Sequence, residues 1–218
     1  MRWGLVKASA GIAVAVVVLV GCSDKEPGNA TGGPTQGGSE DTTTTTARGS
    51  TPTSSGNANG APKVNTPLDA SKYLPQPCTV LSAAALGSFN ISKPGTPDVD
   101  SELAKTAGPS CTWTSDAQPM PFTYNVGFLT GNKNGLSDTY RGRDRFKGYF
   151  EPTEIDGYPA VFNDLNDFRP NGSCNLTIGI SDKLAFRVAV KFSRDEGTKS
   201  CDESKKLASA VIQTLKGA

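Results

Sequence analysis

Leu176-Thr177-Ile178-Gly179-Ile180 and Leu184-Ala185-Phe186-Arg187-Val188-Ala189-Val190-Lys191-Phe192 are the two runs on which the fold turns. Both are rich in β-branched and aromatic side chains, and only Ser181-Asp182-Lys183 separates them, so they predict an antiparallel hairpin. Such a hairpin needs a cover for its apolar face. Residues 200–216 supply one: Leu207, Ala208, Val211, Ile212 and Leu215 recur at helical spacing with charges opposite, the pattern of an amphipathic helix. Upstream, Ser110-Cys111-Thr112-Trp113-Thr114 and Phe122-Thr123-Tyr124-Asn125-Val126-Gly127-Phe128-Leu129 read as two further strands. Thr79 before Val80-Leu81-Ser82-Ala83-Ala84-Ala85-Leu86 reads as the N-cap of a short helix that Gly87 stops. The fold class that follows is α+β. We expect an antiparallel sheet of five or six short strands, with a short helix near 79–86 and a longer one near 200–216 packed on one face. Residues 131–150 are expected to form a loop with a short helix around 136–146.

The first 67 residues have a different character. The 218-residue chain is 36% hydrophobic with 24 Gly and 15 Pro, too poor in core formers for all of it to be packed. Arg2 and Lys7 precede an unbroken small and aliphatic run over 8–20, the layout of an export signal, and the run is too short to span a bilayer as a helix. Leu19-Val20-Gly21-Cys22 closes it and resembles the bacterial lipobox. That resemblance implies cleavage after residue 21 and acylation of Cys22, by palmitate or similar chains, which holds the protein to the bilayer. Residues 22–67, dominated by Gly, Ser, Thr, Asn and Pro, are expected to be a disordered tether, and 68–218 a single globular domain.

Removing Cys22 leaves an even set: Cys78, Cys111, Cys174 and Cys201. In an exported chain four cysteines suggest two disulfides, for which three pairings exist. The sequential one, Cys78 with Cys111 and Cys174 with Cys201, would tie each expected helix to the sheet through two loops of similar length. Each bridge would stabilise by about 3 to 4 kcal/mol in the loop-entropy model. Zinc is the competing use, but there is no Cys-x-x-Cys spacing and no histidine.

Pro77-Cys78-Thr79 before the Leu/Ala segment, Cys111-Thr112-Trp113, Ile155-Asp156-Gly157-Tyr158-Pro159-Ala160-Val161, Cys174 on a strand and Cys201 opening the last helix together resemble the actinobacterial envelope lipoproteins grouped as a domain of unknown function. The resemblance spans nearly all of 68–218. It implies an envelope location with no established activity, and a looser similarity to the extracytoplasmic sensor domains of actinobacterial receptor kinases, which also carry two disulfides.

The chemistry-bearing residues narrow the function by exclusion. Lys plus Arg is 22 against 21 for Asp plus Glu, so nothing in the overall charge favours nucleic acid. The absence of histidine removes Ser/His/Asp and Cys/His nucleophilic sites, and no phosphate-binding or dinucleotide fingerprint occurs. No cofactor, metal or catalytic residue is implied. Asp164, Asp167 and Asp182 read as turn formers, as does Asp156-Gly157. One stretch stands out: Tyr140-Arg141-Gly142-Arg143-Asp144-Arg145-Phe146-Lys147-Gly148-Tyr149-Phe150 places four cations among four aromatics, a mixture suited to carboxylates, phosphates or the carbohydrate and peptide of a cell wall. Arg141, Arg143, Arg145 and Tyr149 are therefore the candidate ligand-binding residues. The competing reading is a solvated face compensated in part by Asp144. The expected function is a non-catalytic binding or sensing module on the extracytoplasmic face of the cell membrane. Its expected partners are the bilayer, through Cys22, and a cell-wall component or envelope protein. The alternatives are an envelope hydrolase or transferase using carboxylates, and a structural or inhibitory partner of another wall protein.

Overall fold

The computed structural model describes residues 58–192 and 199–217; the expected signal segment 1–21, the lipidation site Cys22 and the tether as far as residue 57 lie outside the described residues. In chain order the strands are β1 (Thr96–Asp98), β2 (Ser110–Thr114), β3 (Thr123–Phe128), β4 (Tyr149–Ile155), β5 (Tyr158–Asp164), β6 (Ser173–Gly179) and β7 (Ala185–Lys191). The helices are α1 (Ala83–Ser88), α2 (Glu102–Thr106), α3 (Leu136–Arg141) and α4 (Lys199–Lys216). The strands form one antiparallel sheet in the order β1-β2-β3-β7-β6-β5-β4. The α+β expectation holds, with seven strands in place of five or six.

The expected hairpin lies in the middle of the sheet, with Cys174 opposite Val190, Leu176 opposite Val188 and Ile178 opposite Phe186. Because side chains alternate across a strand, these six point to one face, together with Tyr124, Val126 and Phe128 of β3. Helix α4 closes that face over β6 and β7, and its Leu207, Ala208, Val211 and Ile212 are fully buried. At about 1.5 to 3 kcal/mol for each fully buried Leu, Val or Ile, this stripe is a large share of the domain's stability. Small residues bring the start of α4 close to β6: Ser200 and Ser204 are fully buried, and Ser204 Oγ bonds the carbonyl of Cys174 at 3.1 Å. There the Cys174–Cys201 disulfide joins strand to helix. The Cys78–Cys111 disulfide fixes a 3-10 turn, Pro77–Val80, to β2. The sequential pairing is the one that forms.

Several local readings are corrected. The N-terminal helix is capped by Ser82, whose hydroxyl accepts from Ala85 N–H at 3.2 Å, while Thr79 lies in the preceding 3-10 turn. It runs through Gly87 to Ser88, and the left-handed backbone after it falls on Asn90 (φ 53°). Residues 58–67, expected in the tether, are packed from Ala61 onward: Ala61 and Val64 are buried, and Leu68 N–H donates to Ile180 O at 2.8 Å. Two buried side chains hold this stretch, Ala61 against Val161 of β5 and Val64 beside Gly179 of β6.

Strands β4 and β5 are joined by Asp156-Gly157, both with positive φ (51° and 87°), the two-residue turn that matches strand twist. Ile155 and Tyr158 flank it as a hydrogen-bonded pair, so alternate pairs along the ladder are not hydrogen-bonded, including Pro152 opposite Val161 and Pro159 opposite Glu154. Pro152 therefore turns its missing N–H outward from the sheet's edge. Pro159 turns its own toward β6, and the β5–β6 ladder accordingly starts one residue later, at Ala160.

Candidate functional site

On the face opposite α4, cover lies at the β5–β6 end. Helix α3 crosses it, presenting Leu136 and Tyr140, one turn apart, to Val161 and to Ala61 from the incoming chain. Tyr140 meets the edge of Phe150 (centroids 5.0 Å), and Phe146 stacks on the same ring (5.9 Å). The three aromatics anchor the stretch, and the cations between them are turned out to solvent.

Arg141 pairs with Asp138 at 2.8 Å. The Asp138 carboxylate is nearly buried and also accepts from Asn134 N–H at 3.0 Å and Asn134 Nδ2 at 2.9 Å. Burial pushes its acidity one way, up in pKa, but Asn134 and the Arg141 guanidinium outweigh it and hold the carboxyl below its ordinary value. Arg145 leans over Gly142, where a Cβ would stand 2.7 Å from its Nη2, and it pairs with no carboxylate among the described residues. Arg141, Arg145, Asn132, Asp138 and Asp144 line a depression of about 410 Å³, in which the Asp138 carboxylate is already taken by Arg141 and Asn134. Two guanidinium forks and an amide beside an open space are donors for the oxygens of a carboxylate or phosphate.

The four candidate residues do not all converge. Arg143 is outside the depression, on the exposed 3-10 turn Arg143–Arg145, with Asp144 3.9 Å away. Tyr149 is in the core. It opens β4 on the α4 side of the sheet, since Phe150 points to α3, and its hydroxyl accepts from Asn175 N–H at 3.1 Å. Arg169 lies over its ring at 4.1 Å while binding Asp167 through two nitrogens (2.9 and 2.7 Å) and Glu151 at 2.9 Å. This arginine, which composition does not single out, is a clamp between β4 and the turn after β5. Asp167 is a turn former as expected, and Asp164 accepts from Asn175 Nδ2 at 2.6 Å.

A second concavity of about 620 Å³ lies between α4, Phe89 and the β4–β5 turn, and Glu154, Asp156 and Glu203 all border it. Two of these acids are already held. Asp156 accepts from Ser209 Oγ at 2.6 Å and Gln213 Nε2 at 3.0 Å, and Glu203 accepts from Lys206 at 2.6 Å. The Tyr124 hydroxyl also reaches Glu203, at 3.5 Å, and is pushed well above its ordinary pKa by burial and then by that negative charge. Among the described residues, four carboxyls have their pKa lowered: Asp69 by Ser71, Asp116 by Ser92, Asp167 by Arg169, and Asp138 as above. Each of the four is held ionised by local hydrogen bonds or a guanidinium, as a structural acid is. Among the described residues no group of three or more Cys, Asp or Glu is placed to hold a metal ion.

A family model described as a protein of unknown function, DUF3558, matches residues 17–214. No curated protein and no solved structure matches the chain.

Proposed function

We propose, from the premise that this chain belongs to the DUF3558 family of proteins of unknown function, that it is a lipid-anchored, non-catalytic binding module on the outer face of an actinobacterial membrane. Three observations support the location. The Leu19-Val20-Gly21-Cys22 tetrapeptide lies inside the family match, two disulfides suit an oxidising compartment, and they use four of the five cysteines, which leaves Cys22 for the lipid. The two-disulfide α+β architecture is also in keeping with the loose likeness to receptor-kinase sensor domains.

The observation that carries the binding reading is the depression beside α3. Arg145 stands there without a carboxylate partner among the described residues, with Arg141 lining the same depression, on a segment pinned by the Tyr140, Phe146 and Phe150 rings. Unpaired guanidinium held on a fixed support is what an anionic group of the envelope needs. The test uses the chain from residue 22 onward with Cys22→Ser, sedimented with purified cell envelopes. The expected outcome is binding that weakens at least about tenfold in an Arg141→Ala/Arg145→Ala variant and with added salt. Equal sedimentation of both proteins overturns this site.

A further inference from the structure

The basic segment does not end alone. The Lys147-Gly148 turn lies against the turn that follows β5: Gly148 N–H donates to Asp164 O (3.2 Å) and Leu165 O (3.1 Å), and a Cβ at Gly148 would collide with the backbone of Asn166. Leu165 and Phe168 on that neighbouring turn are 56% and 44% exposed, two of the five large apolar side chains that the described residues leave in solvent. Lys147, the last of the cations that follow α3, thus adjoins the turn that carries this pair of exposed apolar side chains, and Arg143 and Arg145 lie four and two residues before it in the chain. The chain itself arrives on the same side. Asn59 Nδ2 donates to Ser137 O of α3 at 3.3 Å and Ala61 is buried against Leu136 and Tyr140, so the chain that leads from Cys22 joins the domain at α3, the helix that the cations follow.

We infer that the partner of this basic face is an anionic phospholipid surface, with Arg143, Arg145 and Lys147 on the headgroups and Leu165 and Phe168 entering the interface. The inference rests on the membrane-anchored binding reading above and names the partner of the same face. Clustered Lys and Arg are drawn to an anionic leaflet, and exposed Leu and Phe beside them partition into the headgroup and acyl boundary. The acyl anchor supplies proximity, and this contact sets the orientation of the domain.

The test is co-sedimentation of the chain from residue 22 onward, carrying Cys22→Ser, with vesicles of phosphatidylglycerol or of phosphatidylcholine. The expected result is binding to the anionic vesicles alone, weakened about 30-fold or more by Arg143→Ala/Arg145→Ala/Lys147→Ala and about tenfold by Leu165→Ser/Phe168→Ser. All five side chains are exposed or half-exposed, and unchanged circular dichroism and melting confirm that the variants fold. Loss in the cation variant with none in the Leu165/Phe168 variant overturns the proposed surface. Sedimentation with whole envelopes but not with phosphatidylglycerol overturns lipid as the partner and leaves the binding function standing, with an anionic wall polymer in its place. No sedimentation with either overturns both.

Discussion

Helices α3 and α4 cover opposite faces of one sheet and are held there by different means. α4 has 18 residues, a continuous stripe of fully buried aliphatics and a disulfide in its first turn. α3 has six residues, two apolar contacts to the sheet, and three arginines in and just after it that face solvent. The first arrangement maximises burial, and the second fixes charged groups in place with the least burial that will do so. On the binding reading proposed above, stability and binding are thereby separated on the two faces.

That separation is open to attack, beginning where the effect is largest. Leu207→Ala empties a fully enclosed site under α4 and should destabilise by about 3 to 5 kcal/mol in denaturant unfolding. Removing Cys174–Cys201 as the double Ala variant should cost about 3 to 4 kcal/mol, and so should removing Cys78–Cys111, because loops of 27 and 33 residues differ little in closure entropy. Hydrogen exchange would then tell them apart. The amides of Leu207 to Ile212 should stay protected without the first bridge, whereas residues 68–91, built of 3-10 turns and one short helix, should lose protection without the second. Tyr140→Ala, which removes the main anchor of α3, should cost about 2 kcal/mol and weaken envelope binding as well.

Asp138→Asn should have a smaller effect, below about 1 kcal/mol, and a pH signature. The folded carboxyl holds its proton less tightly than the unfolded one. Its contribution is therefore complete above the ordinary carboxylate pKa of 3.8 and fades as the pH falls through the lowered folded value, so wild type and variant should converge in stability under strong acid. Arg141→Ala/Arg145→Ala should change stability by no more than about 0.5 kcal/mol while reducing binding. A large stability loss there would erase the contrast between the two faces.

The parts legible in the sequence are those where one pattern decides. The alternating residues of β7 and the helical stripe of α4 each bury one face, so periodicity alone places them. β4 is opaque for the opposite reason: as an edge strand it exposes Glu151, Pro152 and Glu154, and a proline amid polar residues reads as loop. β5 is buried on both faces, between α4 and α3, so its residues show no alternation at all. The basic cluster was visible as composition. Which of its members share a depression was not, since a one-residue change of strand phase sends Tyr149 inward and Phe150 to α3, and since Arg169 reaches Tyr149 from a turn twenty residues downstream.

Pro152 has a consequence for the membrane display proposed above. A chain displayed on a membrane meets its own copies at high two-dimensional density, the condition under which open strand edges zip into fibrils. One outer edge here is a three-residue strand centred on Pro97, and the other lacks an N–H at its middle and presents carboxylates on either side. Neither edge offers a neighbouring copy an unbroken row of N–H and C=O groups to extend.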